Sequence, residues 1–157
     1  MTDSRFRIRA AEVSDIPIIL MLIRELAVYE KLEQEVIATE EMLKDHLFEK
    51  KSCFCLIASE GQENIGFALY FYNFSTFAGR KGLYLEDLFI KPAFRGIGYG
   101  KALLLELKSI AQKEECARME WAVLNWNTPA IDFYKGLGAR AMNDWILFRM
   151  SGDALHK

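Results

Sequence analysis

Apolar residues recur at Ile16, Ile19, Leu20, Ile23, Leu26 and Ala27, a spacing of three and four that predicts one buried face of an amphipathic helix. Ser14 and Asp15 stand where an N-cap belongs, and Pro17 suits the first turn, where a missing N–H costs little. A second helix is expected after Thr39, and a third over residues 101–115, where Leu103, Leu104, Leu107, Ile110 and Ala111 repeat the helical pattern. Residues 6–9, 54–59, 65–74 and 83–90 read as strands, the middle two joined as a hairpin across Glu60-Gly61-Gln62-Glu63-Asn64. Pro92 ends the fourth strand. Residues 119–124 return as a strand parallel to it, because a helical crossover brings the chain back in the same direction. Asn127 caps a short helix through Tyr134, Gly138 closes it, and residues 139–150 are expected to supply a final pair of strands. The pattern describes one α/β domain over residues 1–157, a mixed, mostly antiparallel sheet flanked by helices.

Between the fourth strand and the long helix lies Arg95-Gly96-Ile97-Gly98-Tyr99-Gly100-Lys101. Its glycines let the backbone turn sharply and aim N–H groups at an anion, and the helix that follows adds the favourable end of its dipole. The competing reading is a glycine-rich turn without a ligand. A Walker loop is excluded by spacing: Arg95 stands where its first glycine belongs and Ala102 where it needs Ser or Thr. A Rossmann fingerprint is excluded too, since Lys101 occupies the place of its third glycine.

The net charge of −2, with Lys and Arg spread along the chain, gives no concentrated basic surface for nucleic acid. The first residues lack the apolar centre of a signal peptide, and the longest apolar run, residues 16–23, falls short of the ~20 residues that span a bilayer. The expectation is a soluble cytoplasmic protein without membrane partners. Cys53, Cys55 and Cys116 form an odd set, so no disulfide framework is expected. With only His46 and His156 as further soft ligands, no metal site is expected either.

Arg95, Gly98 and Gly100 occupy the three defining positions of the Arg/Gln-x-x-Gly-x-Gly/Ala pattern, and in this the chain resembles the GNAT family of N-acetyltransferases. Glu25-Leu26-Ala27-Val28-Tyr29-Glu30, Leu83-Tyr84-Leu85-Glu86-Asp87-Leu88-Phe89, and the stretch from Trp126-Asn127-Thr128-Pro129-Ala130 to Phe133-Tyr134-Lys135 extend the resemblance to its diamine acetyltransferase branch. The resemblance implies the GNAT fold, acetyl-CoA as cosubstrate, a small-molecule amine as acceptor and a homodimer paired through C-terminal strands. It places Leu88, Phe89 and Ile90 along the pantetheine arm, and Arg95, Gly96, Ile97, Gly98, Tyr99, Gly100 and Lys101 around the pyrophosphate. Asn127, Thr128, Pro129 and Ala130 are further cofactor contacts by the same resemblance, Asn127 being otherwise a helix cap alone.

Acetyl transfer to an alkylamine needs a group to take the ammonium proton and one to protonate the leaving thiolate. The resemblance assigns the first role to Glu86 and the second to Tyr134, a tyrosine's ordinary pKa of about 10 being suited to it. The competing readings are an exposed polar strand residue for Glu86 and a core tyrosine beside Ile131 and Phe133 for Tyr134. Asp87 would point away from Glu86 in a regular strand, which separates the two carboxylates. Tyr29 and Glu30 match acceptor-site residues, together with Glu86.

Polyamine-acetylating relatives carry an acidic residue and a tryptophan in the loop before the fourth strand, where Thr76 and Ala78 stand here. A lysine-like acceptor such as thialysine is therefore favoured, with Arg80 or Lys81 as a partner for its α-carboxylate. A polyamine acetyltransferase, a protein-modifying acetyltransferase and a coenzyme A-binding module without turnover are the alternatives.

Overall fold

In the computed structural model, residues 5–157 are described. They fall into two compact units, Met1–Ala122 and Val123–Lys157. The first unit is built on a five-stranded sheet whose order follows the chain: β1 (Phe6–Ala10), β2 (Phe54–Glu60), β3 (Glu63–Ser75), β4 (Arg80–Ile90) and β5 (Met119–Trp121). Neighbouring strands are antiparallel except β4 and β5, which are parallel. The mixed sheet is thus as the sequence predicts. Its hairpin is tighter than the predicted turn: β2 ends at Glu60 and β3 starts at Glu63, with Gly61 in the left-handed region at φ 60°.

The first helix, α1 (Ile16–Tyr29), buries Ile19, Leu22 and Leu26 against Cys55 and Ile57 of β2, Phe67 of β3 and Phe89 of β4. The expected cap at Ser14 and Asp15 takes a different form. A 3-10 turn, Val13–Asp15, precedes α1, and the buried Asp15 carboxylate reaches back to accept the Glu12 N–H at 2.7 Å and two Arg9 N–H bonds at 2.7 and 2.9 Å. Arg9 holds the Asp15 carboxyl below its ordinary range. After α1, Thr39 accepts the Met42 N–H at 3.2 Å and caps α2 (Glu40–Lys44), as its position predicts. One turn of π-helix, Asp45–Glu49, then carries Leu47 into the core. The long helix α3 (Tyr99–Lys113) buries Leu103, Leu104, Leu107 and Ala111 of the positions marked by its periodicity, leaves Ile110 half-buried, and packs against β4.

Gly66 shows how closely β3 and β4 approach beside the glycine loop. It pairs with Ile90, and a Cβ there would lie 2.5 Å from the Phe89 carbonyl oxygen and 2.6 Å from Ile90 Cδ1. Gly66→Ala is expected to destabilise the fold by about 1–3 kcal/mol, since neither backbone nor packed core yields cheaply. A urea midpoint equal to that of the unaltered chain would contradict this.

The second unit holds α4 (Thr128–Gly136) and α5 (Asp153–His156). The expected strand pair over residues 139–150 is absent: among the described residues this stretch joins no ladder. Trp145, Ile146, Leu147 and Phe148 are each 77–88% exposed. A strand exists only through a neighbour that takes its N–H and C=O groups, and apolar character alone does not supply one.

Candidate active site

The ladder between β3 and β4 slips by one residue at the predicted catalytic carboxylate. Leu85 pairs with Tyr70 and Asp87 with Leu69, so Glu86 is an extra residue, a β-bulge. Adjacent residues Leu69 and Tyr70 face opposite sides of the sheet, and cross-strand partners share a side, so Leu85 and Asp87 face opposite ways although they are two apart. The regular alternation that separates Asp87 from Glu86 in the sequence reading therefore does not hold. Glu86 is exposed. Burial first, then the carboxylates of Glu86 and Glu30, push the Asp87 carboxyl up to about 7. Glu30, the C-cap of α1, is itself raised by burial. Asp87 thus lies within electrostatic reach of both Glu86 and Glu30.

A carboxyl raised in this way stays protonated where the unfolded chain has already ionised. Stability then falls as pH rises from the ordinary aspartate value, about 4, through about 7, and levels off above it. Asp87→Asn is accordingly expected to gain more stability over the unaltered chain near pH 8 than near pH 4. Equal gains in urea unfolding at the two pH values would mean that Asp87 ionises as an ordinary carboxyl.

The same bulge marks where β4 parts from β5. Their ladder covers Leu83, Tyr84 and Leu85 and stops. From Asp87 to Ile90, β4 pairs with β3 on one edge, and among the described residues no strand pairs with the other. Along Leu88, Phe89 and Ile90 alternate residues turn their backbone groups to this open edge, which suits a ligand carrying amides, and the Ile90 carbonyl there is already taken by a side chain of the following loop.

That edge leads into the glycine loop. Gly96 and Gly98 have φ of 81° and 96°, and Gly98 is the N-cap of α3 with no side chain closing the helix end. A Cβ at either glycine would meet nothing within 4 Å and would project into open space before the helix. The first bond of the helix runs from the Ala102 N–H to the Gly98 carbonyl at 3.0 Å, so the Gly100 and Lys101 amides precede it and point out of the helix end. Tyr99 is buried and its ring stacks on Phe6 at 4.0 Å, so the loop turns backbone rather than this side chain outward. The residues fit a pyrophosphate: a concave run of amides, left-handed glycines and a 15-residue helix dipole.

Arg95 behaves differently from its neighbours. Its Nε donates to the Ile90 carbonyl at 2.7 Å, and its guanidinium carbon lies 4.6 Å from the Tyr29 ring centre and 5.2 Å from that of Phe89. Its side chain thus joins the loop to the end of β4 and to the last residue of α1.

In the second unit, Asn127 caps α4 by accepting the Ala130 N–H at 3.4 Å, with Thr128 and Pro129 in the first turn. No residue of α4 is buried, and Tyr134 is half-buried with its ring 5.6 Å from that of Phe133.

Lys81 Nζ pairs with Glu114 at 2.7 Å and lies 4.4 Å from the centre of the Tyr72 ring. Arg80 opens β4, about 20 Å of strand before Glu86. Asp87 is the group that the residue pattern hides, because only the register with β3 reveals the bulge.

Comparison with known proteins accords with this geometry. The Acetyltransferase (GNAT) family model matches residues 20–139. A thialysine N-epsilon-acetyltransferase of Sus scrofa is 38% identical over 162 residues, covering 96% of this chain and 95% of the relative. An L-ornithine N5-acetyltransferase of Arabidopsis thaliana is 31% identical over 95% of this chain and 86% of its own length. A V. cholerae integron cassette protein superposes with a TM-score of 0.81 at 26% identity, covering 97% of this chain and 96% of the other. The open edge of β4, the left-handed glycines at the head of α3 and the extent of these matches have one meaning: the chain belongs to the GNAT family of acetyltransferases.

Proposed function

We propose that this acetyltransferase moves the acetyl group of acetyl-CoA to the side-chain amine of a lysine-like amino acid such as thialysine. The observation that carries the reading is the bulge at Glu86, which sets an exposed carboxylate where β4 parts from β5, with Asp87 within electrostatic reach of both Glu86 and Glu30. The thialysine and ornithine acetyltransferases among its relatives support an acceptor of this size and charge.

Bound acetyl-CoA supplies the acetyl thioester. Leu88, Phe89 and Ile90 pair with the amides of its arm. Gly96, Ile97, Gly98, Tyr99, Gly100 and Lys101 present backbone amides to its pyrophosphate, with Arg95 shaping the loop. Asn127, Thr128, Pro129 and Ala130 contribute contacts from the head of α4. Tyr29, Glu30 and Glu86 draw in the ammonium, and Glu86 takes its proton directly or through water. The amine nitrogen bonds the acetyl carbon as the C–S bond breaks. Tyr134 gives its phenolic proton to the departing sulfur and is reprotonated as the amide nitrogen sheds its second proton.

We read residues 1–157 as one N-acetyltransferase domain acting as a homodimer in the cytoplasm. The exposed apolar run Trp145-Ile146-Leu147-Phe148 supports pairing with a second copy, since a monomer gains nothing by leaving it in water. The free thiols Cys53, Cys55 and Cys116 suit a reducing compartment. No helix among the described residues is long and apolar enough to cross a membrane.

The test is kcat/KM for thialysine, lysine, ornithine, spermidine and putrescine under one set of conditions. Thialysine is expected to lead. Spermidine ahead by about tenfold, ~1.4 kcal/mol of transition-state binding, would move the chain to the polyamine acceptors.

A further inference from the structure

We propose that Arg95 is a positioning residue that couples the two substrate sites: its side chain ties the cofactor loop to Tyr29 at the acceptor end of α1 and does not bind the phosphates. The proposal rests on the reading of the loop as the acetyl-CoA site and of Tyr29 and Glu30 as acceptor residues. Three contacts converge on one guanidinium. Its Nε is spent on the carbonyl of Ile90, at 2.7 Å, where β4 ends. Its flat face lies within cation–π range of Phe89, which is 3% exposed and fixed in the core beneath α1. It lies closer still to the ring of Tyr29, the last residue of that helix, at 4.6 Å.

Arg95 also borders the turn formed by Gly96 and Gly98, and its backbone N–H is held by the Pro92 carbonyl at 3.2 Å. A change in the loop when its amides engage an anion therefore shifts the base of the Arg95 side chain, and the guanidinium carries that shift to Tyr29 and the neighbouring Glu30. The cradle itself needs no side chain from this position, because backbone amides and the α3 dipole already face the anion. Coupling of this kind is reciprocal, so an occupied acceptor site tightens the loop by the same factor.

The experiment uses the full chain and the variants Arg95→Gln, Arg95→Lys, Tyr29→Leu and Arg95→Gln with Tyr29→Leu. Acetyl-CoA affinity is read by calorimetry, and the thialysine KM and kcat are read at saturating acetyl-CoA. Arg95→Gln is expected to raise the thialysine KM about tenfold while the acetyl-CoA Kd stays within about threefold. Arg95→Lys should recover part of the loss, and the double variant should be no worse than the poorer single variant, because both remove one contact. An acetyl-CoA Kd weakened about tenfold with an unchanged thialysine KM would make Arg95 a phosphate ligand and overturn the proposal, as would strictly additive losses. Should Arg95→Gln fail to fold, Arg95→Lys, which keeps the charge and loses the planar fork, carries the expectation of a smaller rise in thialysine KM at unchanged cofactor affinity, and an unchanged KM overturns the coupling. An unaltered chain that binds no acetyl-CoA would overturn the function reading itself, a result distinct from any of these.

Discussion

Tyr134→Phe is expected to lower kcat by roughly 10²- to 10⁴-fold while leaving acetyl-CoA affinity nearly unchanged. The substitution keeps the ring and removes only the hydroxyl, so it separates the two roles that the residue pattern leaves open. A core tyrosine would lose stability and retain turnover. On α4, which buries none of its residues, Tyr134 is half-buried. A general acid would retain stability and lose turnover, since the thiolate then has to leave without a proton. The loss is measured under single-turnover conditions, where product release does not mask the chemical step. A variant that keeps most of its single-turnover rate would make Tyr134 a structural residue.

Gly98→Asp is expected to weaken acetyl-CoA binding by at least about tenfold while the chain still folds. Two effects add. The backbone at position 98 has φ 96°, a conformation that L side chains rarely adopt, and the new carboxylate would project into the cradle against the pyrophosphate. Because a Cβ there meets nothing within 4 Å in the protein itself, the core has no reason to rearrange. Gly98→Ala carries the backbone strain without the charge and should fall between the two. Calorimetric titration of the folded variant decides it, and unchanged affinity would remove the loop from the cofactor site.

Features set by neighbouring residues were legible in the sequence, while those set by register and distant contacts were not. Thr39 and Asn127 cap their helices as a local hydrogen-bond argument predicts, and the glycines before α3 adopt the left-handed backbone that only they adopt freely. The bulge at Glu86 requires knowing which β3 residue faces which β4 residue, and no run of apolar residues encodes that. Lys81 finds Glu114, and Arg95 finds Tyr29, across separations that no window spans. Residues 139–150 have the apolar character of strands but no ladder in this chain, since the missing ingredient is a neighbour rather than a propensity. The family pattern identified the family because it condenses long-range constraints into short runs such as Arg-x-x-Gly-x-Gly. It did not disclose Asp87, whose place depends on the bulge.

The most direct test of the account follows thiol release from acetyl-CoA by the full chain with and without thialysine, and locates the acetyl group on the product by mass spectrometry. The account predicts saturable, amine-dependent thiol release with the acetyl group on the side-chain nitrogen. Tight binding of acetyl-CoA with no amine-dependent release would contradict it.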